Sequence, residues 1–341
     1  MKRLKFSIYP ILIALLCMAP LDSIAAKLIR FATLAPEGST WMVAMRQIDD
    51  EVRTATGGEV GFKFYPNMSM GDEKDVVRKI RFGQLNGGGF TGFGLGEILP
   101  EIRILEMPYL FENEVEIDCT FGLMEDYFRA GFESKGFILL GWADVGWIYF
   151  MAQQPVASPK DLEGAKVWMW EGDPLARTFY SELGKTPVSL SVTDVMMALQ
   201  TGMVDAVYGS PLSTLVLQWF TRLKYISDIP FTNAVGAVLM DKATFDAFKP
   251  EHQKALLDIS KKRLRELVLK SRADNRKAYQ QLLKEGLQPV PSTEAQRAEM
   301  RMVGQKVEAK LTGELFSPDL LARLKNALSQ AKRGSAGTSG K

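Results

Sequence analysis

Cysteine and histidine are almost absent from this 341-residue chain, which holds two of the first and one of the second. Cys17 lies in the N-terminal apolar run, so only Cys119 remains beyond it and no disulfide can staple the rest of the chain. His252 has no second histidine to share a metal or complete a proton relay, and Cys119 has no second thiolate. Metal clusters of the His/Cys type and histidine-relayed nucleophilic triads are thereby removed, and no cofactor or catalytic group is expected. Charge of one sign is also missing. The 42 Lys and Arg nearly balance the 40 Asp and Glu, which leaves no basic stripe for nucleic acid. Beyond residue 26 no apolar run approaches the roughly 20 residues that a bilayer demands.

The first residues do carry a pattern. Lys2, Arg3 and Lys5 precede an apolar run over residues 8–16, and a small-residue stretch ends in Ile24, Ala25 and Ala26. That is the order of charge, apolar core and exit site in a secretory signal peptide, with cleavage expected near Ala25 or Ala26. Cys17 is a competing lipid-anchor site, but Leu16 stands where such a signal needs a small side chain. Cleavage removes three basic groups and one acidic group and leaves 39 of each sign. The expectation is a soluble, formally neutral exported protein of about 315 residues, enough for two domains.

Strand and helix signals alternate along that mature chain. Residues 28–34 read as a strand, after which Ser39 caps a helix with Trp41, Met45, Ile48 and Val52 on one face. Val60, Phe62 and Phe64 alternate as a second strand, followed by a charged helix over residues 72–84. Further strands are expected over 137–142, 147–152 and 166–170, and further helices over 174–183 and 193–201. This order favours an α/β fold rich in parallel strands. From 250 to 284 the pattern stays helical without Gly or Pro inside, long enough to lie across two lobes. The lobes are expected over 27–145 with 236–275, and over 146–235 with 276–331. Residues 332–341, with Gly, Ser and Thr, read as a disordered tail.

Candidate chemistry is sparse. Gly87, Gly89 and Gly92 have the spacing of a dinucleotide-binding loop, but they follow a charged helix and lead to Pro100, so a lobe-edge loop is expected instead. His252 reads as a solvated helix residue and Cys119 as a small buried or half-buried side chain. The aromatic residues are more informative, since Trp142, Trp147, Trp168 and Trp170 sit near strand ends, where open α/β sheets form clefts. Trp168 and Trp170 lie two apart and share a strand face, as one wall of a pocket or as core.

Residues 161–167 (Asp, Leu, Glu, Gly, Ala, Lys, Val) and 199–205 (Leu, Gln, Thr, Gly, Met, Val, Asp) carry a resemblance. With Phe64, Tyr65, Pro66 and Gly71, and with residues 107–111, they resemble the dicarboxylate-binding receptors of tripartite ATP-independent periplasmic (TRAP) transporters. The resemblance covers most of residues 28–285. It implies a two-lobed solute-binding fold with crossing hinge strands, a long lobe-bridging helix, and delivery of a small ligand to a membrane permease. It also implies a carboxylate-clamping arginine two positions after the motif lysine, where this chain has Trp168; a second family arginine falls on Trp147.

With both clamps aromatic, the expected ligand is apolar or aromatic, even lipid-like, held among Trp147, Trp168, Trp170, Tyr208 and Trp41. Ser210, Asn233 or Thr91 would orient any polar end. A cation over the same rings is the second choice. A carboxylate held by a relocated arginine, Arg103 or Arg177, is a further alternative, as is a lipid or sterol carrier serving a periplasmic helical-repeat (TPR) protein instead of a permease.

Overall fold

The computed structural model describes residues 27–338, so the signal peptide expected over residues 1–26 lies outside the described residues, as do 339–341. The chain opens with β1 (Lys27–Thr33) and α1 (Thr40–Ala55), whose cap forms as expected when Ser39 Oγ accepts from the Met42 N–H at 3.3 Å. Met42, Met45, Ile48 and Val52 bury one face of that helix against the sheet. β2 (Val60–Tyr65) returns parallel to β1. Asp72 then caps α2 (Glu73–Arg81), and β3 (Gly87–Thr91) runs straight into α3 (Gly92–Ile98). After α4 (Glu114–Ser134) comes β4 (Phe137–Ala152), one long strand where the sequence suggests two.

The second half alternates shorter pieces: β5 (Trp168–Trp170), α5 (Pro174–Glu182), β6 (Val188–Leu190), α6 (Val195–Thr201), β7 (Ala206–Gly209), α7 (Pro211–Val216) and β8 (Tyr225–Ser227). The long strand β9 (Thr232–Asp241), α8 (Lys242–Asp246), α9 (Pro250–Lys284), β10 (Gln288–Val290), α10 (Glu294–Leu311) and α11 (Pro318–Thr338) complete the chain.

The main sheet has the order β10-β8-β4-β9-β3-β1-β2, with β7 also on β4, while β5 and β6 pair separately. It is mixed rather than parallel-rich. β1/β2, β1/β3, β8/β10 and β5/β6 are parallel, and every pair made by β4 or β9 is antiparallel. β4 pairs with β9 as far as Ile148 and with β7 and β8 from Tyr149 onward, so it carries the chain from one half of the molecule to the other. Its register shifts between Asp144 and Gly146. Gly146 has φ +104°, and a Cβ there would lie 2.6 Å from the Asn275 amide, so only glycine fits this crossing point.

α9 bridges the halves. Its Leu256, Leu264 and Leu267 pack with Met45 and Ile48, whereas Leu282, four turns further on, packs with Trp168 and Trp219. Four further sequence-based expectations need correction. α11 lies on α4, with Leu320, Leu324 and Ala327 in one cluster with Phe128 and Phe132, so the last helix returns to the first lobe instead of staying with the second. That helix also takes in residues 332–338 of the expected tail. His252 is buried, its Nδ1 3.9 Å from Glu59, and Cys119 is exposed.

Candidate functional site

The crossing strands leave a cavity of about 240 Å³ between the β1–α1 loop and α3 on one side and β5, α5 and β7 on the other. One wall is aromatic because β5 alternates. Trp168 and Trp170 face the same way with ring centroids 5.8 Å apart. Trp168 is buried, stacks on Tyr208 at 4.8 Å, and donates from Nε1 to the Leu190 carbonyl at 3.0 Å. Trp170 stacks on Phe93 of α3 at 4.7 Å across the cavity margin. Its Nε1 donates to both oxygens of Asp72, at 2.9 and 3.2 Å. Ser191 Oγ and the Val192 N–H donate to the same carboxylate, at 2.5 and 3.4 Å. The head of α2 is thus clasped by segments from the other side of the cavity.

The opposite wall is charged. Arg103 is buried and lines the cavity; its Nη1 donates to Glu106 and its Nη2 to Asp173 Oδ2 at 2.7 Å. Asp173 also caps α5, accepting from the Leu175 and Ala176 N–H groups at 2.9 and 3.3 Å. Glu106 accepts from the Val235 N–H at 2.7 Å through its other oxygen. Burial pushes the Glu106 carboxyl above its ordinary range against the pull of Arg103. Burial opposes the Arg103 charge, but Asp173 and Glu106 outweigh it and the net shift is upward. Among the described residues Arg103 is the single cationic side chain on this wall, and its Nε–H has no partner.

The glycine-rich stretch is not a loop. It is a strand inside the sheet followed by a helix, and its glycines make room for buried carboxylates. A Cβ on Gly92 would overlap the Glu106 carboxylate, and one on Gly94 would come within 2.6 Å of Glu73 Oε2. Glu73 accepts from the Thr91 N–H, the Thr91 hydroxyl and the Gly94 N–H. Burial nonetheless pushes its carboxyl up to about 8.

Of the residues singled out by sequence, Trp41, Thr91, Trp168, Trp170, Tyr208 and Ser210 line the cavity. Thr91 and Ser210 spend their hydroxyls on Glu73 and Ser213 while capping α3 and α7, which leaves them little freedom to orient a ligand. Trp147 and Asn233 do not reach it. They sit opposite each other on β4 and β9, and Ile148 takes the cavity-facing position beside the Gly146 bulge. Asn233 lines instead a smaller cavity of about 150 Å³ beneath α4 and α9. Arg103 reaches the main cavity while Arg177 is exposed on α5. Glu106, Asp173 and Phe93 escaped the sequence reading, although the Asp173–Pro174 pair is a helix-start signal that marked the position of one of them.

Comparison with known proteins fits this geometry. Residues 31–314 match the family described as bacterial extracellular solute-binding protein, family 7. The 2,3-diketo-L-gulonate-binding periplasmic protein YiaO of Escherichia coli K12 is 25% identical over 258 residues, 75% of this chain and 78% of the relative. A TRAP periplasmic solute-binding protein of Desulfovibrio salexigens, solved with orotic acid, shares the fold with a TM-score of 0.83 at 19% identity, covering 89% of this chain and 99% of that one. DctP7 of Bordetella pertussis, a receptor binding pyroglutamic acid, gives a TM-score of 0.81 at 21% identity over 89% of this chain and all of its own. The chain therefore belongs to the bacterial extracellular solute-binding proteins of family 7 and is a periplasmic receptor of the TRAP transporter type, not an enzyme.

Proposed function

We propose that the receptor captures a small organic acid with a largely apolar body and hands it to a membrane permease. Arg103 carries this reading, as the buried guanidinium that faces the aromatic wall across the cavity. In this reading Arg103 replaces the family's arginines, whose positions hold Trp168 and Trp147, and takes the carboxylate. Trp168, Trp170, Phe93 and Tyr208 then cover the carbon frame. The named ligands of the relatives above are also acids, which supports a carboxylate over the lipid-like ligand expected from the tryptophans alone. Delivery to a permease, and not to a helical-repeat carrier, is the route the family supports.

The test is thermal unfolding and calorimetry with benzoate, phenylacetate, 3-phenylpropionate and hexanoate, each beside its amide. At 100 times its Kd a bound acid adds about 2.7 kcal/mol of stability, while its amide adds far less. Equal binding of acids and amides would remove Arg103 from the site. A second reading has its own observation: Arg103 is already paired twice, which suits a neutral apolar ligand against the same rings. Binding of phenylethanol or toluene in preference to every acid would favour it.

A further inference from the structure

Arg103 cannot receive a ligand carboxylate as it stands without gathering three acids around one cation. Nη1 is held by Glu106 and Nη2 by Asp173, and the remaining Nε–H is buried and unpartnered. We propose that capture of an organic acid is coupled to uptake of one proton, which binds at Glu106. This rests on the acid reading above and concerns what the site does with its own charges when that acid arrives.

The geometry separates the roles of the two carboxylates. Asp173 Oδ1 accepts two backbone N–H groups at the start of α5 and Oδ2 accepts Arg103, so protonating it removes a negative charge from a helix N-terminus and weakens that cap as well as the ion pair. Glu106 has one backbone donor, Val235 N–H on Oε1, while Oε2 faces only Arg103. Once a ligand carboxylate takes the Arg103 Nη1 position, Oε2 binds a proton from solvent and donates it to the ligand oxygen. The net change is one ligand anion and one proton gained, with no bond broken in the protein. Burial of Glu106 already lifts its carboxyl in the same direction.

The other carboxylates on the cavity are Asp173 and Asp144, and loss of proton uptake in Glu106→Gln separates Glu106 from both. Its own segment presents Arg103, the head of α5 presents Asp173 with Tyr180 behind it, and β7 presents Tyr208, whose phenols burial pushes upward. β9 meets it with the Val235 N–H and with the Thr232 hydroxyl, which donates to the Glu106 carbonyl; α3 meets it with Gly92. Asp144, on the same cavity, is held by Arg272 at 2.7 Å through Oδ2, while its Oδ1 has no partner and burial raises its carboxyl against the pull of Arg272.

The experiment is calorimetry of the full receptor with the tightest acid of the panel, in phosphate and in Tris at pH 7.5. The two buffers differ in ionisation enthalpy, so the difference in apparent heat counts protons. The expected result is about one proton taken up and a Kd that weakens about tenfold per pH unit between pH 7.5 and 9. The variant Glu106→Gln should bind the acid with no proton uptake and a flat pH profile. An acid that binds the native receptor without proton uptake overturns the coupling and leaves the acid reading standing. Failure of every acid, with neutral compounds binding, overturns both. The native proton count does not depend on whether the variant folds.

Discussion

Trp170→Phe removes the indole N–H that reaches from β5 to Asp72 while keeping an aromatic ring against Phe93. Hydrogen bonds to a charged acceptor are worth about 1.5–3 kcal/mol, and because Asp72 keeps Ser191 and Val192, the lower end applies. The N-cap itself survives, since the Glu73 N–H still donates to Asp72 at 2.6 Å. The loss therefore falls on the contact across the cavity and not on α2. A loss of about 1.5 kcal/mol confined to the arrangement in which Trp170 meets Asp72 across the cavity shifts its population roughly tenfold, and a ligand that needs that arrangement loses up to about tenfold in affinity. Calorimetry gives the affinity, solution X-ray scattering of the ligand-free protein gives the compactness, and urea unfolding gives global stability. Asp72→Asn keeps a competent cap and serves as the partner in a double-mutant cycle, with an expected coupling above 0.5 kcal/mol, the lower bound for groups in contact. Native affinity and native scattering in Trp170→Phe would refute the clasp.

Gly92→Ala should cost about 1–3 kcal/mol in urea unfolding, because its methyl overlaps the Glu106 carboxylate in a packed site. Arg272→Met should cost about 3–5 kcal/mol, since it leaves Asp144 buried against the long helix without its cation. Burial of Glu73 raises its folded-state carboxyl to about 8 from an ordinary 4.5. Its contribution to stability is therefore full below pH 4.5 and is lost as pH rises toward 8, by on the order of a few kcal/mol. Urea midpoints at pH 5 and pH 8 measure the fall, and Glu73→Gln should flatten it.

Much of the frame is legible in the sequence because it rests on local signals. Ser39 and Asp72 announce their helices, the two-residue spacing puts Trp168 and Trp170 on one face, and the unbroken run from 250 to 284 is one helix across both halves. What escapes depends on contacts far apart in the chain. Residues 86–96 read as a loop because glycine is a poor strand former, yet the sheet and two buried carboxylates demand glycine there. The family pattern puts Trp147 in the cleft, but the bulge at Gly146 fixes which side chains of β4 point inward, and a glycine alone does not tell which face follows it. Arg103, Glu106 and Asp173 meet across about 70 residues of sequence, so only the folded chain makes them a cluster.

A crystal structure of the receptor with the tightest acid of the panel tests the central claim most directly. The expected result is a ligand carboxylate within about 3 Å of the Arg103 guanidinium, with Glu106 against the same ligand oxygen and the carbon frame between Trp168, Trp170 and Phe93. A carboxylate bound away from Arg103, with the Arg103–Glu106 and Arg103–Asp173 pairs unchanged, would contradict it.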